Sequence, residues 1–292
     1  MNTHAQRQRV LFLLGDVSQA RNDNHTRLPQ AFAALGWEVL ELPHDSVHLQ
    51  AGEPRFAHLT PQEVTLIWPL GFGPEISFFD RMQLLDLIPA GQLVTGPRAL
   101  TFLHGKHRWL SHMPETHTHN NVDALTAIIA QGGDWVIKPT AGSYGRDVTL
   151  VRAGEDPRPT LQHLISPDNA DPRYCQVQRF VPEVAQGEIR TLVAAGQLLG
   201  SYLRVPADGV HANLELGATT ARAALTSPQE TLVAELAEQL LCEHVRFVAI
   251  DVVGDYLMEV NVANPGGLAT LEMLYREDFA MRAAQAIVAS LE

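Results

Sequence analysis

Cysteine is almost missing from this chain. It has two in 292 residues, Cys175 and Cys242, and neither lies in a C-x-x-C. A disulfide framework and a thiolate zinc centre therefore have no support, and both cysteines are expected as buried small apolar side chains. Basic residues are also scarce: 21 Lys and Arg face 33 Asp and Glu, a net charge of −12. That balance argues against a protein that tracks a phosphate backbone, so no nucleic-acid partner is expected. No apolar run reaches the ~18 residues that a bilayer crossing needs, which removes the membrane as a partner. The opening MNTHAQRQRV runs into VLFLL without the basic, apolar and small-residue segments of a signal peptide, so a cytoplasmic location is expected. The common motifs of catalysis are missing too. Gly15 follows the first strand, but no G-x-G-x-x-G continues from it, and no G-x-x-x-x-G-K-[ST], H-E-x-x-H or G-x-S-x-G occurs anywhere. Rossmann, P-loop, zinc-hydrolase and serine-hydrolase chemistry lose their usual warrant.

What is present is enough apolar material, 46% of the chain, to build large cores and two or three domains. VLFLLGD (10–16) reads as a buried strand, RLPQAFAALG (27–36) as an amphipathic helix stopped by Gly36, and WEVLELP as a strand again. VTLIWP is a further strand, ISFFDRMQLLDLI a helix and QLVTGP a short strand. This alternation predicts parallel α/β units. Beyond it, 113–133 reads as a loop, a helix and a Gly-Gly stop, and WVIKPTAGSYGRDVTLVRAG as strand, Gly/Ser turn and strand. The segment 154–173 reads as surface connection around TLQHLI. YCQVQRFVPE, EIRTLVAAGQLLGSYLRVP and FVAIDVVGDYLMEVNV are strand-rich, TLVAELAEQLLCEH is helical, and FAMRAAQAIVASL is a closing helix.

In DVVGDYLMEVNV, Glu259 and Asn261 share a face if the strand is extended. A two-residue turn at Gly254-Asp255 pairs Asp251 with Met258 and turns it away. A three-residue loop over 254–256 sets it opposite Glu259. In the second case two carboxylates and an amide would suit Mg²⁺; the competing reading is a solvated strand face. Lys138 ends an apolar strand, where an unpaired ammonium is costly and a phosphate would answer the cost. Gly142, Ser143 and Gly145 then offer backbone N–H groups to an anion, although a plain hairpin with a snorkelling lysine reads equally well. Arg190 and Arg204 interrupt apolar strands and each needs a carboxylate or phosphate partner. Asn213 lies in HANLELGATTAR, read as a mobile polar loop, and THTHN is read as loop rather than zinc site.

In order, these pieces resemble the ATP-grasp ligases: Lys106 before Pro114-Glu115-Thr116, then Val-Ile-Lys138-Pro with its Gly/Ser loop, Gln178-Arg179-Phe180-Val181-Pro and Gly-Glu188-Ile-Arg190. Arg204, Asn213 and Asp251 to Val262 complete the series. Within that superfamily the likeness is to bacterial glutathione synthetases, over about residues 95–275. The resemblance implies a multidomain α/β (α+β) ATP-grasp fold: an N-terminal parallel α/β substrate domain (1–112), a lid (113–180) and a C-terminal catalytic domain (181–292). It implies that Lys106 and Lys138 touch ATP phosphates and that Ser143, Tyr144 and Gly145 close over them. Gln178, Arg179, Phe180 and Val181 would line the adenine pocket, and Glu188 would hold the ribose. Asn213 belongs to the same nucleotide-binding set. Arg190 and Arg204 would stabilise the phosphoryl group in flight. Asp251, Glu259 and Asn261 would hold Mg²⁺, two ions with Mn²⁺ as a substitute.

The implied partners are a small acid and an amine, joined through an acyl phosphate, in a dimer or tetramer. γ-Glutamylcysteine and glycine are the first expectation. A ligase joining other amino acids, peptides or small acids is the alternative, and a catalytically silent nucleotide-binding module is a second. Three stretches depart from the family pattern where substrate would be met: Trp68-Pro69-Leu70-Gly71-Phe72-Gly73, Leu214-Glu215-Leu216-Gly217-Ala218-Thr219 and Asn264-Pro265-Gly266-Gly267.

Overall fold

The computed structural model describes residues 8–140, 147–167, 171–209 and 217–291. Ser143, Tyr144, Gly145 and Asn213 lie outside the described residues. The chain begins with the expected α/β alternation: β1 (Arg9–Leu14), α1 (Asn24–Ala34), β2 (Glu38–Pro43), a hairpin of β3 (Val47–Gln50) and β4 (Glu53–Phe56), β5 (Leu66–Leu70) and α2 (Phe78–Leu85). β1, β2 and β5 form a parallel sheet in the order β2-β1-β5. The predicted strand QLVTGP does not join it as a ladder; Leu93 makes a single parallel bridge to Ile67 before the chain turns helical at Ala99–Leu103.

A second, antiparallel sheet follows. Its strands are β6 (Thr116–His119), β7 (Trp135–Pro139), β8 (Thr149–Val151) and β9 (Cys175–Arg179), in the order β6-β9-β7-β8. Two helices, α3 (Val122–Ile129) and α4 (Arg158–Ile165), cover one face, burying Leu125, Ile129, Leu161 and Ile165 against Trp135, Ile137, Cys175 and Val177. THTH is thus a strand and not the loop expected, because pairing with β9 outweighs its polar composition.

The third sheet contains β10 (Glu188–Ala194), β11 (Gln197–Val205), β12 (Thr219–Arg222), β13 (Phe247–Val253) and β14 (Tyr256–Asn261), ordered β12-β11-β10-β13-β14. Thr219–Arg222, expected as loop, is its edge strand. On one face α5 (Ser227–Cys242) buries Val233, Leu236 and Leu240 against Val248, Ile250 and Val252. The other face changes character along its length. Leu192, Ala194, Phe247 and Ala249 pack with α6 (Leu268–Tyr275), α7 (Phe279–Ala289) and the Phe12–Phe32–Trp68 cluster of the first sheet. Further along the same strands the inward positions become Arg190, Glu188 and Asp251. That change from apolar to charged positions marks the mouth of the cleft. Cys242 ends α5 exposed, against expectation, because it falls on the solvent side of that helix; Cys175 is buried as expected. Among the described residues no helix is long and apolar enough to cross a membrane.

One buried histidine marks the turn after β5. His44, 2% exposed, packs under Gly71–Gly73 beside the Arg81 guanidinium, which donates to the carbonyls of Phe72 and Pro74 at 2.9 and 2.6 Å. Gly73 has φ +65°, and a Cβ there would meet Arg81 at 2.6 Å and His44 at 2.7 Å. Burial, and secondarily the Arg81 charge, pushes the His44 imidazole down to about 4. The unfolded chain then binds the proton more readily than the native one between about pH 4 and 6.5, so His44 favours the fold above that window and the contribution is lost as pH falls through it. Chemical denaturation of wild type and His44→Gln across pH 7 to 4 should show wild type losing roughly 3 kcal/mol more. Parallel curves would remove this assignment.

Candidate active site

The hairpin of β13 and β14 settles the register question in a way neither simple turn anticipates. The turn is the short one, with Val253 opposite Tyr256 and Val252 opposite Leu257, and yet Asp251 faces Glu259. A β-bulge at Met258 absorbs the extra residue. Met258 then packs with Val181, Val184, Val253 and Phe180, while Asp251, Glu259 and Asn261 share the cleft face. The longer loop is not needed.

Asn261 joins the two acids. Its Nδ2 donates to Asp251 Oδ2 at 3.2 Å and to Glu259 Oε2 at 3.3 Å. Asp251 is fully buried and takes a bidentate pair from Arg190, Nε to Oδ1 at 2.8 Å and Nη2 to Oδ2 at 2.6 Å. Arg204 adds a contact to Oδ2 at 3.0 Å and a direct ion pair to Glu188. Both arginines thus find the carboxylate partners their strand positions demanded. Burial works against their charge, but Asp251 holds the Arg190 guanidinium well above its ordinary value. Burial raises the Glu188 carboxyl to about 7 in spite of Arg204. Arg204 Nε has no acceptor among the described residues, although it is buried. A buried donor of this kind calls for an anion.

The two lysines arrive from other elements. Lys106 opens the helical turn 106–112 and sets its ammonium 3.1 Å from Glu259 Oε1. Burial disfavours the Glu259 carboxylate, yet Lys106 and then His104 bring it down to about 2. Lys138 leaves the end of β7 on the cleft face of the second sheet, 7% exposed, and donates to Gln178 Oε1 at 2.8 Å. Gln178 Nε2 in turn donates to Thr116 Oγ1 at 2.8 Å. Burial, and then the nearby Lys106 charge, lowers the Lys138 ammonium to about 7; Glu259 and Glu188 act in the opposite direction. Lys138 therefore senses the charges of the third sheet across the cleft. Lys106, Lys138, Glu188, Arg190, Arg204, Asp251, Glu259 and Asn261 form one constellation.

The remaining expected residues divide. Phe180 and Val181 lie in the small apolar cluster with Met258 at the hinge between the two antiparallel sheets. Arg179 turns its side chain away, stacking 3.9 Å from the Trp135 ring and pairing with Glu115 at 3.0 Å. Its backbone N–H and that of Phe180 donate to Glu115 and Asp134 carbonyls. From the sequence, Thr116 enters only as part of the Pro114-Glu115-Thr116 stretch, and neither it nor His104 is assigned a role. Their signal was only adjacency: Thr116 lies directly across the β6–β9 ladder from Gln178, and His104 lies two residues before Lys106.

The donor set fits a hard divalent cation, because two carboxylates and a carboxamide supply only oxygen ligands. Among the described residues no group of three or more His, Cys, Asp or Glu side chains assembles as a metal site. The hairpin's offer is the smaller one of two acids and an amide, a set that suits a metal also held by substrate phosphates.

Comparison with known proteins agrees with this geometry. Residues 105–276 match the model of the prokaryotic glutathione synthetase ATP-grasp domain. A glutathione synthetase of Parasynechococcus marenigrum is 34% identical over 93% of this chain and 96% of its own length. One from Prochlorococcus marinus is 30% identical over 88% of this chain and 80% of its own. Among solved structures, D-cycloserine synthetase DcsG superposes with a TM-score of 0.70 at 16% identity, covering 97% of this chain and all of that one (100%). A RimK-domain ATP-grasp protein of Sphaerobacter thermophilus gives 0.65 at 21% identity, over 96% and 99% of the two chains. At these identities the two structures share the fold.

The Lys138 ammonium gives the site a measurable signature. A bound polyphosphate favours its protonated form, so binding raises a value that starts at about 7 and draws a proton from solvent. Calorimetry of nucleoside triphosphate binding in buffers of different ionisation enthalpy should show proton uptake at about pH 8 that fades toward about pH 6. Lys138→Met should abolish this pH-dependent part; its persistence would show that another group titrates.

Proposed function

The chain belongs to the prokaryotic glutathione synthetase family of ATP-grasp proteins and is an ATP-dependent carboxylate–amine ligase; from that premise we propose that it activates an acid as its acyl phosphate and joins it to an amine, with γ-glutamylcysteine and glycine as the first pair to try. The family works with ATP and a divalent metal. The observation that carries the finer reading is the convergence of lysines from two elements on the Asp251–Glu259–Asn261 hairpin, beside two arginines held by the same acids.

In the proposed reaction a substrate carboxylate oxygen attacks the γ-phosphorus of ATP. A new P–O bond forms, the bond to the β-phosphate oxygen breaks, and ADP leaves. The amine then attacks the acyl carbon, the amide forms, and inorganic phosphate departs with the bond's electron pair while the nitrogen loses a proton. Such transfer needs mainly positioning and charge stabilisation. Lys106 and Lys138 position the phosphates, Lys138 regaining its full charge as they arrive. Arg204 offers the phosphoryl oxygens an Nε donor that is otherwise unpaired. Arg190 and Arg204 can exchange Asp251 for phosphate as the carboxylates turn to metal. Asp251, Glu259 and Asn261 would hold Mg²⁺, two ions with Mn²⁺ able to substitute, and bound metal would neutralise charge on the triphosphate. Residues 1–112, 113–180 and 181–292 serve in this proposal as substrate, lid and catalytic parts, in a cytosolic enzyme.

Incubation with ATP, Mg²⁺ and a panel of γ-glutamylcysteine, dipeptides and single amino acids, followed by ADP release and product mass, tests this directly. ADP that appears only when one acid and one amine are present together identifies the pair; turnover with no pair in such a panel would sink the proposed substrate classes. Glu259→Gln should melt within a few degrees of wild type and lose about two or more orders of magnitude in turnover. Undiminished turnover would take Glu259 out of the metal set.

A further inference from the structure

β9 carries two glutamines on its cleft face, and the structure treats them differently. Cys175 and Val177 alternate with them and point into the apolar core under α3 and α4. Gln178 has its amide engaged at both ends, accepting from Lys138 and donating to Thr116. Gln176 lies directly between Lys138 of β7 and Thr118 of β6 in the ladder. It is fully buried, and neither its Oε1 nor its Nε2 has a partner among the described residues. Thr118, its neighbour on one side, has its hydroxyl 2.8 Å from His107 Nε2.

An unpaired buried amide destabilises a fold, and a methionine or leucine of similar volume would fill this place without that cost. The uncompensated donor and acceptor therefore point to a ligand, and the ligand must satisfy both. Phosphate only accepts and would leave Oε1 alone; a metal ion would take Oε1 and leave Nε2. A purine edge that presents a donor beside an acceptor answers both at once, as when Gln pairs bidentately with the amine and ring nitrogen of adenine. The position agrees, two residues along β9 from the proposed adenine wall and next to the lysine proposed for the phosphates.

We propose that Gln176 reads the 6-amino group and adjacent ring nitrogen of the ATP base and so sets the preference of this ligase for adenine. This inference rests on the nucleotide placement proposed above. Guanine and hypoxanthine carry a 6-oxo acceptor in place of the amine and would oppose Oε1 to another acceptor on that edge.

Binding of ATP and inosine triphosphate, each with Mg²⁺ and without acid or amine, can be measured by calorimetry on wild type, Gln176→Met and the isosteric Gln176→Glu. In Gln176→Met, ATP affinity should fall by roughly tenfold while inosine triphosphate changes little, so the ratio of the two Kd values shrinks by about the same factor. The ligand-free Gln176→Met protein should melt no lower than wild type, since an unpaired amide has gone. Gln176→Glu keeps the acceptor that tells a 6-amino from a 6-oxo edge and loses only the donor to the ring nitrogen, so it should weaken ATP without narrowing the ratio, and it keeps the test open if the methionine variant misfolds. An unchanged ratio in folded Gln176→Met, or undiminished ATP binding by folded Gln176→Glu, overturns the assignment to Gln176 and leaves the ligase reading intact. Wild type that binds neither nucleotide overturns the nucleotide placement, and the inference with it.

Discussion

Asp251 is the point on which the third sheet and the cleft both depend. A carboxylate with no exposed surface is tolerable only if its charge is neutralised where it sits, and here Arg190 grips both oxygens while Arg204 and Asn261 share one of them. Those partners come from three different strands, β10, β11 and β14, so one buried acid fixes the lateral order and register of the sheet's centre. Removing it would leave two buried guanidinium groups facing only Glu188 and Gly266. Ion pairs as buried as these seldom stabilise a fold over an apolar equivalent. Their presence points to a requirement of the site, and the proposed exchange between internal pairing and a highly charged ligand would supply one.

The charge arrangement around that acid is unequal in a useful way. Lys106, Lys138, Arg190 and Arg204 face Glu188, Asp251 and Glu259, and the imbalance falls on Lys138, whose ammonium donates among the described residues to a neutral amide, that of Gln178. Burial and Lys106 reduce its hold on a proton. Lys106 and Glu259, in contrast, neutralise one another. The second sheet thus brings to the cleft a cation whose charge burial disfavours, whereas the third sheet brings acids and arginines that are already paired.

How far this could be read beforehand follows from which forces are local. Apolar patterning disclosed β1, β2, β5, β7, β9, β10 and β13; all but β2, which stays partly exposed, carry buried apolar residues. The identities of Lys138, Arg190, Arg204, Asp251 and Glu259 were conspicuous for the same reason: each is a charge within an apolar run. The bulge at Met258 was not legible, since it depends on Met258 finding an apolar place beside Phe180 and Val181 across the hinge. The strands at 116–119 and 219–222 were equally hidden; they are held by ladder partners rather than by their own residues. QLVTGP has strand composition but makes one bridge, and α6 follows a Pro-Gly-Gly turn that reads as loop. Nothing in its sequence neighbourhood distinguishes Gln176 from an exposed polar residue; its burial follows from the sheet.

The loop 264–267 shows why residues proposed to bind nucleotide are easier to recognise than those proposed to bind acid and amine. The triphosphate imposes fixed charge and oxygen geometry, so lysines, arginines and hard ligands recur around it. No such constraint governs the loop 264–267. Here Asn24 donates to Asn264 Oδ1 at 2.8 Å and to the Pro265 carbonyl at 2.9 Å, and Asn22 to the Asn264 carbonyl at 3.2 Å. The Gly266 carbonyl accepts from Arg190 at 3.3 Å. The segment after β1 is therefore in contact, through one short loop, with the arginine that grips Asp251. Displacing either asparagine would disturb the same loop that touches Arg190, so the segment after β1 and the proposed phosphoryl-stabilising arginine share a physical connection. This connection uses amides and backbone carbonyls, groups with no distinctive spacing.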